Sequence, residues 1–508
     1  MRVVGIDLGT TNTVLAHVDE HGKVEVVPNA EADRLTPSVV LFEDAEVIVG
    51  KLALASAISE ADRVVQFVKR EMGRPGSTFE VGETTYTPEE VSAFILRKAK
   101  VDAEARLGGP IDAAVITVPA YFNDVQRKAT EDAGRIAGLQ VLGILNEPTA
   151  AALAHGVLSG ASAERDSSVS VVFDLGGGTF DITVMRTGAG DVQMIATDGD
   201  DHLGGKDWDD RLITHAARRF EESHGANPLE DRRAYQDLAE KCEGAKIALS
   251  RKPKARIPVG HAGNFLSVEV GREEFEAMTE DLVARLEVKI RMVLDEAALG
   301  FGDVARFLLV GGSSRMPMIP ALLARIAPGV PAIDAGHPDE VVAVGAAIHA
   351  SVLAARAAGE APAVSAAAGI ELGYVNAHSL GVVARVKGEF TNCVLIPRNS
   401  PIPCTERGRF QTIEDGQTRI EVVVLEGEEK DPERCARIGT CVISDLPARP
   451  RGSPVTIEYS YDARGRIHVR AVDVETGREA KTTIERETGL DQSEVAFAAE
   501  RMARMAVS

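Results

Sequence analysis

Residues 174–181 read Asp174-Leu175-Gly176-Gly177-Gly178-Thr179-Phe180-Asp181, and the reading of this stretch decides the fold. Val169, Val171, Val172 and Phe173 lead into it, and Ile182, Val184 and Met185 lead out. That is the pattern of a buried strand, a sharp turn and a second strand. Three consecutive glycines strip every Cβ from the turn, so a ligand can reach bare backbone N–H groups. Two acids bracket the turn and Thr179 adds a hydroxyl. A phosphate chain with a hard cation needs this set of groups.

The same device stands at the N-terminus, where Val3, Val4 and Ile6 lead into Asp7-Leu8-Gly9-Thr10-Thr11-Asn12 and Thr13, Val14 and Leu15 follow. Either copy alone could be an ordinary Gly-rich hairpin. Two copies with matched acid and threonine suggest two similar lobes gripping one nucleotide, a repeat on the domain scale.

A chain of 508 residues should hold more than one domain. A hydrophobic share of 44% and a charged share of 26% are ordinary for a soluble protein. The net charge of −21 argues against nonspecific nucleic-acid binding. The odd set Cys242, Cys393, Cys404, Cys435 and Cys441 has no CxxC pair and fits free thiols in a reducing compartment. The first strand leaves no room for a signal peptide, and no apolar run reaches about 20 residues. The expectation is a cytoplasmic protein that binds neither nucleic acid nor membrane.

Along the chain, 24–50 is strand-like and helical spacing follows around Ala53 and Ile58. Lys69, after Phe67 and Val68, reads as a solvated charge beside a core element. The span 89–107 is an amphipathic helix started by Thr87 and Pro88. A continuous apolar strand at 113–118 precedes a helix at 124–138, and a buried strand at 141–145 runs into Asn146-Glu147-Pro148-Thr149. Glu147 is either ligand chemistry at a strand end or an acid at a helix start. His202 stands apart from other histidines and is not read as a metal ligand. Glu243, Lys246 and Ser250 share one helix face, which by itself is a solvated, ion-paired face. A helix is expected over 273–299. The strand Phe307-Leu308-Leu309-Val310 ends in Gly311-Gly312-Ser313-Ser314-Arg315, where the diglycine admits close approach to the backbone. An alanine-rich helix spans 341–353 and a linker 354–368. Beyond it, short strands at 420–425, 455–461, 467–474 and 481–484 alternate with turn residues, as in an antiparallel sandwich. One helix of about four turns ends the sequence at 492–506.

The motifs GIDLGTTNT, VPAYFND, NEPTAAALAHG, FDLGGGTFDIT, GDDHLGGKDWD, CEGAKIALS, LVGGSSRMP and HPDEVVAVGAA form one ordered set. Over residues 1–489 the chain resembles the DnaK-type 70-kilodalton heat-shock chaperones. The resemblance implies an α/β, actin-like, two-lobed ATPase domain at 1–355 and a linker at 356–373. It further implies an antiparallel β-sandwich at 374–490 and a short helical stub at 491–508 in place of most of the family's lid. ATP or ADP would lie between the lobes with Mg²⁺, K⁺ being a further candidate cation. Gly9, Thr10, Thr11, Asn12, Gly176, Gly177, Gly178 and Thr179 would hold the phosphates. Asp7 and Asp174 would order the water shell of the metal. Lys69, Glu147 and Thr179 would place the attacking water, with Asp181 accepting its proton. Glu243, Lys246 and Ser250 would contact the adenosine, and Gly311, Gly312, Ser313, Arg315 and Asp339 would flank the base. These roles replace the bland readings of Lys69, Glu147 and the Glu243 face. Val382, Phe410, Ile420 and Val422 match the positions of a pocket for an extended, unfolded polypeptide segment. A J-domain co-chaperone is an implied partner.

Several positions depart from the family pattern. Gly143 stands where an arginine is usual, Tyr374 where the linker has an acid, and Ile413 where the arch over the peptide has a small residue. The hairpin at 251–265 is short, which leaves the exchange factor open, and 73–89 is trimmed. These departures imply retained hydrolysis, fast peptide exchange and weak coupling between domains. The leading function is an ATP-dependent, peptide-binding chaperone. The alternatives are a nucleotide-dependent scaffold for one dedicated partner and, less favoured, a small-molecule kinase.

Overall fold

The computed structural model describes all residues except 45, 160–166, 189–190, 368, 463–464 and 485–489. Position 368 of the expected linker, and 463–464 and 485–489 of the expected sandwich, therefore lie outside the described residues. Two sheets share one plan. In the first, Val3–Leu8 runs antiparallel to Asn12–Val18 and parallel to Ala113–Val118, which is parallel in turn to Gln140–Asn146. In the second, Ser168–Leu175 runs antiparallel to Phe180–Gly188 and parallel to Val304–Val310, itself parallel to Ala332–Asp334. The duplicated glycine turns thus sit on duplicated hairpins, one per lobe. Buried central strands read as unbroken apolar runs because helices cover both faces; Ala113–Val118 is buried at every position.

The helix Val341–Ala358 ties the lobes together. A Cβ on Gly5 would lie 2.0 Å from Ala347 N, and one on Gly345 would lie 1.9 Å from Ala150 O. Backbone therefore rests on backbone, and only alanine and glycine fit between the strand Val3–Leu8, this helix and the helix Glu147–Ser159. The helix has a mean hydropathy of 1.7, enough by length and composition to cross a membrane. It lies in a core shared with Val115, Leu145 and Val172 instead. It also runs past the expected end, to Ala358, into the stretch read as linker.

The single helix expected over 273–299 is two, Arg272–Met278 and Glu280–Glu296. Thr279 leaves helical geometry at φ −118° and its buried hydroxyl donates to Phe275 O at 2.9 Å. A threonine that competes for backbone partners breaks the helix there.

The sandwich stacks Glu389–Ile396, Leu380–Val386, Ile420–Glu426 and Ala436–Ile443 against Cys404–Gln411, Pro454–Tyr461, Ile467–Asp473 and Glu479–Thr483. Its core holds Val382, Val422, Val424, Ile438 and Tyr459. It is not a free appendage. The strand Glu371–Val375 joins the second sheet, parallel to Asp191–Asp200, and Pro401–Ile402 pairs on its other side.

The C-terminal helix Gln492–Ala503, capped by Asp491, packs on the first lobe rather than on the sandwich. Ala498 and Met502 enter the same core as Phe42, Val91 and Phe94. Arg501 pairs with Glu90 and stacks 4.8 Å from the Tyr86 ring centre. Arg97 donates to Met502 O at 3.0 Å and Lys128 to Leu490 O at 2.8 Å. The sequence then turns to Ala506–Val507, a strand added parallel to Glu46–Val49.

Candidate functional site

The two glycine turns meet. A Cβ on Gly177 would fall 2.3 Å from Thr11 Cγ2, and one on Gly178 would fall 2.3 Å from Thr10 Cγ2. Each lobe's hairpin thus fills the space that a side chain on the other would need. The first turn is braced from outside: Ser38 Oγ donates to Gly9 O at 2.8 Å and lies 2.9 Å from Thr13 Oγ1. The second is held by Arg70, which donates through Nε to Gly178 O at 2.9 Å and through Nη2 to Asp207 at 2.7 Å. Further out, Arg34 grips Glu340 with two donors, each at 2.7 Å. Planar, two-point contacts of this kind fix orientation as well as distance.

Behind the turns the charge is concentrated. Hairpin register sets Asp174 directly opposite Asp181. Like charges facing one another across a strand pair destabilise a sheet, so this pairing calls for a cation nearby. Lys69 is the cation that the protein itself supplies. It sits on the turn Val68–Glu71, entered through Phe67 at φ +58°. Its Nζ lies 2.5 Å from Glu147 Oε1, both side chains being buried. Phe67 holds a conformation that a bulky residue adopts only where the surroundings enforce it.

One lysine does not balance four acids. Burial, then the charge of Glu147, raises the Asp7 carboxyl to about 7, against the pull of Lys69 and of the Thr117 hydroxyl 3.0 Å away. Asp174 and Asp181 are held well above the usual carboxylate range by burial first and Glu147 next. Burial would push the Lys69 amine down, but Glu147 and Asp7 carry it above its ordinary value, so it stays charged. Asp181 Oδ1 accepts from Ala120 N at 2.8 Å. Its Oδ2 is buried and, among the described residues, has no hydrogen-bond partner. Thr10 and Thr179 are buried beside these acids and Thr11 is partly buried.

The third wall comes from the second lobe. A Cβ on Gly205 would meet Ser313 Oγ at 2.5 Å and Lys246 Nζ at 3.0 Å, so these groups converge. Lys246 Nζ donates to Asp209 Oδ2 at 2.6 Å and to Gly205 O at 3.0 Å. Burial raises Asp209 to about 7, against the charge of Lys246. Gly311, at φ +77°, leaves no room for a side chain: a Cβ there would fall 2.4 Å from Leu175 O and 2.7 Å from Asp174 Oδ1. Arg315 pairs with Asp339 at 2.9 Å, beside Gly312. Ser250 Oγ turns back to Lys246 O at 3.3 Å, and Glu243 is exposed at the rim. The expected set Asp7, Gly9 to Asn12 by number, Lys69, Glu147, Asp174 and Gly176 to Asp181 therefore lies together, with Lys246 and Gly311 to Ser313 forming the adjoining wall.

Val382, Phe410, Ile420 and Val422 do not share this cleft. Val382 and Val422, each 1% exposed, lie inside the sandwich core, Ile420 beside them and Phe410 on the opposite sheet, only partly covered.

Sequence reasoning missed Arg70, Thr117, Asp209 and the Ala120 amide. Arg70 follows Lys69 directly, and Asp209 lies four residues after Gly205, so adjacency to motif residues was the available signal. The Ala120 amide leaves no trace in side-chain identity.

Comparison with known proteins gives one answer. The family described as Hsp70 protein matches residues 3–508. The protein named Chaperone protein DnaK in Thermotoga petrophila is 41% identical over 502 residues, covering 97% of this chain and 82% of that protein. That of Thermosipho africanus is 40% identical over 501 residues, covering 97% and 81%, and that of Thermosipho melanesiensis is 41% identical over 501, covering 97% and 82%.

Proposed function

This chain belongs to the Hsp70 family, an ATP-hydrolysing molecular chaperone by descent, and we propose from that premise which residues do the work. ATP binds between the lobes with its phosphates on the backbone of Gly9, Thr10, Thr11, Asn12, Gly176, Gly177 and Gly178, glycine-rich turns whose bare backbone suits an anion. The single observation that carries the reading is the cluster of Asp7, Asp174, Asp181 and Glu147 around one lysine, between two interlocked glycine turns.

Four buried acids and one lysine fit a hard divalent cation, and Asp7 and Asp174 are the residues to hold Mg²⁺ through its water shell. When bound, that ion neutralises charge on the phosphates. Lys69, oriented by Glu147, faces the terminal phosphate, and Thr179 with Glu147 orients the attacking water. Asp181 Oδ2, buried without a partner, takes the proton that this water loses as its oxygen bonds phosphorus and ADP departs. Asp181 Oδ1, held by Ala120 N, stays fixed meanwhile. Phosphoryl transfer needs positioning and charge compensation more than covalent help. Lys246, Glu243 and Ser250 contact the adenosine, with Gly311, Gly312, Ser313, Arg315 and Asp339 at the base.

We further propose that the sandwich takes extended apolar segments of unfolded polypeptide at Val382, Phe410, Ile420 and Val422. Because Val382 and Val422 are filled core in the docked arrangement, uptake requires the sheets to part near Ile420. The domain limits 1–355, 356–373 and 374–490, a J-domain partner and a cytoplasmic site, in keeping with five unpaired cysteines, belong to the same reading. The test is Lys69→Ala: single-turnover hydrolysis should fall by about 10²-fold or more with ATP affinity largely kept. An undiminished rate would remove Lys69 from the mechanism.

A further inference from the structure

The entry segment of the sandwich reaches the site through His378 and Val375. His378 follows the strand Glu371–Val375, which is already paired to the second lobe. Its Nε2 lies 2.8 Å from Tyr121 O in the first lobe. A carbonyl oxygen only accepts, so Nε2 carries the hydrogen and donates it. Tyr121 and Ala120 form the turn that ends the strand Ala113–Val118. It is the amide of Ala120 that holds Asp181 Oδ1 at 2.8 Å. Val375 presses on the same turn, in a small apolar cluster with Ala120 and Met194. The turn that orients the acid is therefore gripped by an apolar contact and a hydrogen bond, both from the entry segment of the sandwich.

That segment is itself rigid. Asn376 Nδ2 donates to His378 O at 2.7 Å and to Pro397 O at 2.9 Å, while its Oδ1 accepts from Ser400 N at 2.7 Å. Glu428 accepts from Ser379 N at 2.8 Å and faces His378 Nδ1 at 3.7 Å. The charged groups around the imidazole are Glu428 and Glu426 from the sandwich, with Arg398 acting on Glu428 from its other side; the first lobe presents Tyr121. Burial alone would lower the imidazole, but Glu428 and then Glu426 carry it above its ordinary value.

We propose that His378 is a positioning residue for hydrolysis, passing the state of the sandwich to Asp181 through the Ala120–Tyr121 turn. The inference rests on the reading of Asp181 as proton acceptor. It also gives the chain a route between domains at a junction where Gly143 and Tyr374 lack the arginine and the acid of the family pattern. Because docking raises the imidazole, the charged form favours the docked state. The extra hold is complete at low pH and is lost as pH rises through the raised value.

The test uses the full chain, single-turnover ATP hydrolysis with and without a saturating leucine-centred synthetic peptide, over about pH 6 to 8. His378→Ala should shrink the peptide-dependent change in rate about fivefold or more, with the KM for ATP unchanged. His378→Gln keeps a side-chain N–H and should restore the response while flattening its pH dependence. A wild-type ratio and pH profile in His378→Ala would overturn the proposal. So would a Gln variant as deficient as the Ala variant, or a parent chain indifferent to peptide. Asp181→Asn separates the two layers. If it abolishes hydrolysis while His378→Ala is silent, only the His378 link fails; if it hydrolyses ATP at full rate, the acid assignment itself is wrong.

Discussion

Placing one methyl group at Gly178 tests whether the two lobes close on each other through their glycine turns. In Gly178→Ala the new Cβ would stand 2.3 Å from Thr10 Cγ2 and 2.8 Å from both Thr10 Cβ and Oγ1. Carbon atoms in contact settle at roughly 3.5 Å or more, so the turns must part by about 1.2 Å. Thr10 cannot swing away: it is 6% exposed, and its branched side chain has few rotamers. Displacement of about 1 Å in a site that works by positioning costs about 10²-fold in rate, or about 2.7 kcal/mol of transition-state stabilisation. The assay is single-turnover hydrolysis at saturating ATP, run as a double-mutant cycle with Thr10→Gly, which removes all three clashing atoms. If the turns oppose one another as described, the double variant loses less than the sum of the two singles. A Gly178→Ala rate within about threefold of the parent, or strictly additive losses, would refute the opposed-turn cleft.

Three further outcomes follow. Asp209 must be ionised to hold Lys246, and its carboxyl is raised to about 7. Falling pH through that value should free Lys246 and tighten ADP binding a few-fold, and Asp209→Asn should erase this pH dependence in a fluorescent-nucleotide titration. Met502→Ala empties a fully enclosed site in the first lobe and should cost about 2–4 kcal/mol of local stability; faster amide exchange at Val49, whose N–H donates to Ser508 O, and at Ser508, whose N–H donates to Val47 O, is the readout, and unchanged protection would contradict it. Burial, then Arg356, lowers His349 from 6.5 to about 4, so the folded state favours the neutral ring. Stability is complete above the unfolded value and falls by about 3 kcal/mol as pH drops through the window from 6.5 to 4; His349→Asn should flatten that part of the acid-melting curve.

The candidate cleft was legible because its determinants are local. A strand, a glycine turn and a threonine lie within a dozen residues, and their repetition announced two lobes before any contact was known. The interactions that lie far apart in sequence were not legible. Lys69, from its own residues alone, read as a solvated charge, and only the family resemblance set it beside Glu147, because nothing near it in sequence says that Glu147 will stand 2.5 Å away. Asp209, the last residue of the GDDHLGGKDWD motif, drew no role of its own. The C-terminal helix was expected at 492–506 and stands at Gln492–Ala503. Its docking was not legible, since Ala498 and Met502 make an apolar stripe that fits any partner. The break at Thr279 was hidden in apolar spacing that continues across it. His378 is the extreme case: its role depends on a backbone carbonyl in another domain, and a carbonyl has no letter in the sequence.

These contacts share one mechanical consequence. The lobes are joined at the cleft by Arg34 to Glu340, by Arg70 to Gly178 O and Asp207, and by the interlocked turns. The sandwich adds a strand to the second lobe through Glu371–Val375 and touches the first through Val375 and His378. It therefore straddles the joint about which the lobes would move. Asp7 and Glu147 of the first lobe stand near Asp174 and Asp181 of the second, so their like charges oppose closure unless positive charge lies between them. A divalent cation between the acids would supply the positive charge that relieves that repulsion. A body clamped across the joint must follow that motion or let go of one side. Among the described residues the second lobe is met by a strand pairing over three residue pairs, whereas the first lobe is met by the His378 hydrogen bond and the packing of Val375 and Tyr374. If the lobes move, the hydrogen-bonded strand pairing is the firmer of the two attachments, so the first-lobe contact is the one expected to yield.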